Sequence, residues 1–112
     1  MGLSEERAAR NDSTFRDANE RIFRSAREYD VTDAIPFLCE CANPSCTAIV
    51  RLSAEEYDRI RAEARRFFYS SGHSEPFRNA LEVVERHATY EVVVKTGRAA
   101  EIAEELDPRQ RA

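Results

Sequence analysis

All three cysteines of the chain lie within eight residues, as Cys39-Glu40-Cys41-Ala42-Asn43-Pro44-Ser45-Cys46. Thiolates are soft ligands, and zinc is the ion that clusters of this kind generally hold in a reducing compartment. The segments PFLCECA (36–42) and CTAIVRL (46–52) flank an Asn-Pro-Ser turn signal and read together as a β-hairpin. Residues two apart in a strand share a face, so Cys39 and Cys41 point the same way and the turn returns Cys46 to them. Paired zinc cysteines usually have two to four residues between them, and Cys39-x-Cys41 has only one. Against that stands the gathering of every cysteine around a single turn. Cysteines buried as small apolar residues, or a redox pair, are the competing readings. A Cys39–Cys41 disulfide suits an extended strand poorly, because two residues span about 6.6 Å, near the upper limit for the bond.

Three thiolates leave one tetrahedral corner to fill, and His73 and His87 are the two histidines. His73 follows Gly72 in a turn, where the chain can aim a side chain at a metal. His87 falls at the tip of a second hairpin, where an exposed histidine is ordinary. The expected ligand set is Cys39, Cys41, Cys46 and His73. Water at the fourth corner is less favoured, since three thiolates leave it poorly acidified.

Phe37-x-Cys39-x-Cys41-x4-Cys46, Leu52-Ser53-x-x-Glu56-Tyr57, Phe67, Gly72-His73 and a Val-Val-Glu-Arg-His hairpin together carry a resemblance. The chain resembles a family of small proteins from high-GC bacteria, over roughly residues 10–108. The resemblance implies that the spacing from the cysteines to Gly72-His73 is a family trait, which supports the three-cysteine, one-histidine set. It implies no activity.

The elements that must position these residues follow from periodicity. Residues 4–29 read as a long amphipathic helix with Ser4 as N-cap and a stripe of Phe15, Ala18, Ile22, Ala26 and Tyr29. Residues 1–10 lack the stripe and are expected to fray. Ser53-Ala54-Glu55-Glu56 has the form of a capping box, and Tyr57, Ile60 and Ala64 continue a helical stripe. A strand is expected at 66–70. LEVVERH (81–87) and TYEVVVK (89–95) alternate with period two as the second hairpin. Ala99, Ile102, Ala103 and Leu106 stripe a short last helix, ended by Asp107-Pro108, with 109–112 as a tail. The order α-β-β-α-β-β-β-α implies one α+β domain, 1–112, with a long N-terminal helix, a short middle helix and a C-terminal helix on a mostly antiparallel sheet.

Composition narrows the function classes. The chain has 112 residues, 42% apolar and 34% charged, with a mean hydropathy of -0.63. That is one modest core. No apolar run approaches the roughly 18–20 residues of a membrane span, and the start MGLSEERAAR does not read as a secretory signal, so a cytoplasmic protein is expected. Net charge of -4 argues against a general nucleic-acid binder. Paired carboxylates such as Glu55-Glu56 and Glu104-Glu105 read as solvated helix faces, and no phosphate-binding loop is present. An enzyme is therefore not the favoured reading. A small zinc-binding adaptor or regulator acting through a protein partner is expected, with Arg10, Arg21 and Arg24 on the outer face of the first helix. The alternative is a thiol-based sensor whose oxidation releases zinc. More remote is contact with single-stranded nucleic acid through Arg59–Tyr69, where arginines adjoin Phe67, Phe68 and Tyr69.

Overall fold

The computed structural model describes residues 4–109. Helix α1 spans Glu5–Glu28 and begins where Ser4 accepts a hydrogen bond from the Arg7 backbone N–H. Strands β1 (Ile35–Leu38) and β2 (Ile49–Leu52) form an antiparallel pair. Helix α2 (Ala54–Arg61) carries the expected capping box: Ser53 Oγ accepts the Glu56 N–H at 3.0 Å, and Glu56 Oε1 accepts the Ser53 N–H at 2.9 Å. Strand β3 (Arg66–Ser70) follows, then a 3-10 turn at Glu75–Ala80, strands β4 (Leu81–Arg86) and β5 (Tyr90–Lys95), and helix α3 (Gly97–Glu105). The α+β class and the helix placement agree with the sequence reading.

Two details of that reading change. The strands form two antiparallel sheets, β1-β2 and β3-β5-β4, instead of one. They meet over shared aromatics: Phe37 of β1 stacks on Tyr57 of α2 with ring centroids 4.2 Å apart, and Phe68 of β3 meets both edge-on. The outer strand β4 is bulged between Val83 and Glu85.

The second change concerns α1. Tyr29, expected in its buried stripe, is 77% exposed, and Phe15, Ala18, Ile22 and Ala26 are only half-buried. The face turned inward is instead polar, with Asp12, Arg16, Asn19 and Glu20 leading to Phe23. Each finds a partner on another element. Arg16 donates to the Ala64 carbonyl at 2.7 Å and to that of Arg66, with its guanidinium 3.6 Å above the Phe67 ring. Asp12 accepts the Tyr69 hydroxyl and pairs with the buried Lys95. Glu20 accepts from Tyr57 and Arg109. The helix is thus docked by hydrogen bonds to the backbone and side chains of β3 and α2. Ala8 and Ala9 are also buried, so the segment expected to fray is helical from Glu5 onward. Residues 1–3 and 110–112 of the expected frayed end and tail lie outside the described residues. Arg109, within that expected tail, pairs with both Glu20 and Asp58.

Candidate metal centre

The three cysteines lie in the loop between β1 and β2, not in its strands. A strand at 36–42 was expected, but β1 ends at Leu38. The shared strand face is therefore not what aligns Cys39 with Cys41. PFLCECA looks like continuous strand only while cysteine is counted as apolar. The chain instead leaves the ladder at the first sulfur and curls.

Local hydrogen bonds shape that curl. Cys39 N–H donates to the Ala48 carbonyl at 3.0 Å and closes the base of the loop. Asn43-Pro44-Ser45-Cys46 is a β-turn, with Pro44 at the position that suits its fixed φ and the Cys46 N–H donating to the Asn43 carbonyl at 3.0 Å. Asn43 Oδ1 also accepts the Ser45 N–H at 2.9 Å. From α1, Asn11 Nδ2 donates to the Ala42 carbonyl at 3.0 Å.

His73 arrives from the other sheet. After β3 the chain turns through Gly72, whose φ of +84° lies in the region that L side chains avoid. The His73 N–H then donates to the Ser70 carbonyl at 3.0 Å, which aims the ring back at the cysteine loop. Its Nδ1 stands 3.6 Å from Cys39 Sγ, 3.8 Å from Cys41 Sγ and 3.6 Å from Cys46 Sγ. The four ligand atoms all lie within 4.8 Å of one another.

Those separations carry chemical information. An imidazole nitrogen has one lone pair or one hydrogen, so it cannot hydrogen-bond three equidistant sulfurs at once. A tetrahedral zinc ion with bonds of about 2.3 Å to sulfur and about 2.0 Å to nitrogen would set each S···N separation at about 3.5 Å. The cluster also suits one ion better than a two-iron cluster, which would hold opposing ligand pairs further apart across its two metals. The four side chains can hold a metal ion.

Backbone donors surround the sulfurs. Cys39 Sγ accepts the Ser70 N–H at 3.1 Å, while the N–H groups of Asn43 and Ala48 serve Cys41 and Cys46. The thiols titrate as a set. A hydrogen bond from Cys39, then one from His73, brings Cys41 down to about 5 against the pull of burial. The same Cys39–Cys41 bond, with burial, pushes Cys39 up, and burial pushes Cys46 up. The protein alone therefore favours one thiolate, and a divalent cation is the charge that would favour all three. His73 Nε2 makes no hydrogen bond to the described residues, so the carbonyl or carboxylate partner that commonly orients a ligating histidine is not found here.

His87 sits apart. Its ring stacks on Tyr90 at 4.3 Å, and its Nε2 lies 2.8 Å from Glu85 Oε1. The Arg59–Tyr69 region offers no stacking platform, because Phe67, Phe68 and Tyr69 are fully buried. Three of its arginines are engaged too: Arg59 with Glu85, Arg61 with Asp107 and Arg65 with Glu104. Among the described residues no helix is long and apolar enough to cross a membrane.

Glu40, Asn11 and Asn19, which brace the cysteine loop, were not singled out from the sequence. The available signal was the polar series Asn11-Asp12, Arg16, Asn19-Glu20, which recurs at helical spacing as plainly as the apolar stripe. No family model, curated protein or solved structure matches the chain.

Proposed function

We propose that this chain is a small zinc-binding protein in which Cys39, Cys41, Cys46 and His73 hold one structural zinc ion, and that it works as a non-catalytic adaptor or regulator. The observation that carries the reading is the placement of His73 Nδ1 at near-equal distances from three sulfurs. Four protein ligands leave no open corner for water or substrate, which favours a structural ion over a catalytic one. Three free cysteines fit a reducing, cytoplasmic setting. The family resemblance belongs to the same reading, through the Phe37-to-Cys46 spacing and Gly72-His73. The partner is proposed to be another protein, met by the exposed Arg21 and Arg24 on the outer face of α1.

Metal analysis of untagged protein tests the central claim, with one zinc per chain expected. Cobalt substitution should give the intense visible absorption of a tetrahedral thiolate site. Protein with three titratable thiols, no bound metal and no cobalt spectrum would refute it. Reversing the charges of Arg21 and Arg24 should weaken association with partners recovered by pull-down; unchanged association would remove that surface from the reading. Cys46 is the least buried of the three cysteines. Release of zinc by mild peroxide, together with altered association, would turn the reading toward the redox sensor.

A further inference from the structure

Glu40 lies between two of the proposed ligands, yet its side chain points away from them and is fully buried. Its Oε2 accepts Asn19 Nδ2 at 3.0 Å, and its Oε1 accepts the Phe68 N–H at 3.3 Å. Its own N–H donates to the Phe68 carbonyl at 3.0 Å. Glu40 therefore extends β3 pairing into the cysteine loop by both backbone and side chain. Asn19 fixes the other side of the junction: it donates to the Leu38 carbonyl at 2.9 Å and accepts the Leu38 N–H at 2.8 Å. The end of β1 that leads into Cys39 is thereby held against β3, which leads to His73, and the Ser70 N–H reaches Cys39 Sγ from that same β3.

We propose that Asn19 and Glu40 are positioning residues of the metal centre, a donor–acceptor pair that sets the cysteine loop at the distance from β3 that lets His73 complete the ligand shell. This rests on the zinc reading above. Neither residue touches the metal. Both act through the backbone that presents the ligands, and outer partners of this kind commonly carry 10–100-fold in metal affinity.

The polarity of the pair makes it testable. Asn19→Asp sets a carboxylate against a carboxylate, and Glu40→Gln sets an amide donor against an amide donor. The double variant Asn19→Asp/Glu40→Gln restores one donor facing one acceptor between the two side chains, with Leu38 N–H and Phe68 N–H still served, but the Leu38 carbonyl loses its donor, so the rescue relative to Asn19→Asp is partial. Zinc affinity is measured by chelator competition on the full chain, and ligand geometry by the cobalt spectrum at saturation. Each single variant should weaken zinc by about tenfold or more and alter the cobalt bands, and the double variant should return both toward wild type. A purely structural role would lower thermal stability while leaving the cobalt bands at saturation unmoved. The proposal is overturned if the single variants keep wild-type affinity and spectrum, or if the double variant is unfolded or binds no tighter than Asn19→Asp alone. If the wild-type chain takes up no zinc or cobalt, the zinc reading itself has failed, and this inference falls with it.

Discussion

His73 and His87 show how position decides what an imidazole can do. One faces three sulfurs, and the other is spent on a ring stack and a surface carboxylate. Replacing His73 with alanine should weaken zinc by about 100-fold or more, because a closed shell loses a ligand, whereas His87→Ala should leave affinity within about twofold of wild type. Competition with a chromogenic chelator separates the two. Gly72 offers a second test at this scale. A Cβ placed there meets nothing within 4 Å, so Gly72→Ala introduces backbone strain without a clash. It should cost about 1 kcal/mol in urea unfolding. The clustering of Cys39, Cys41, Cys46 and His73 was legible in the sequence because cysteines and a glycine-adjacent histidine are rare enough to stand out. The hydrogen bonds that shape the loop were not, since they depend on which distant segments it meets.

Among the elements, α1 departs furthest from its sequence pattern. Its caps and length could be read from Ser4 and the helical spacing, and the capping box of α2 from Ser53 and Glu56. Which face of α1 turns inward could not. The inner face is chosen by open carbonyls at Ala64 and Arg66 and by Tyr69 and Lys95, all far along the chain. A buried polar group with a partner is tolerated, whereas the same carbonyls buried without one would be costly. Arg16→Ala should therefore destabilise the protein by about 3 kcal/mol in urea unfolding, through two lost charge-assisted bonds and the ring contact. Arg16→Lys should recover little of it, because a single ammonium cannot reproduce the planar fork. The division into two sheets was equally hidden. Period two marks a strand but does not name its neighbours.

For the whole molecule, the zinc reading predicts different responses to pH with and without metal. Burial raises the carboxyls of Asp12 and Glu40 to about 6 and about 7, above the usual range near 4. The native state then holds more protons than the unfolded chain between those values. Their contribution to stability is present at low pH and is lost as pH rises through 6 and 7. The lowered Cys41 thiol works the other way, gaining stability as pH rises above 5, so chelator-treated protein should show little net change in urea stability between pH 5 and pH 7. Metal-loaded protein should gain stability clearly over that range, since thiolates must shed protons to bind. At pH 7 a strong chelator should lower the melting temperature by roughly 10 °C or more. Further consequences follow from the spread of the ligands, three in one short loop and the fourth 27 residues beyond Cys46. A bound ion would turn the intervening segment, with β2, α2 and β3, into a closed ring. The exposed Arg65 lies inside that ring, just ahead of β3. A protease cut after Arg65 would open the ring without releasing a fragment, and in mild denaturant the two pieces should part only once a chelator is added.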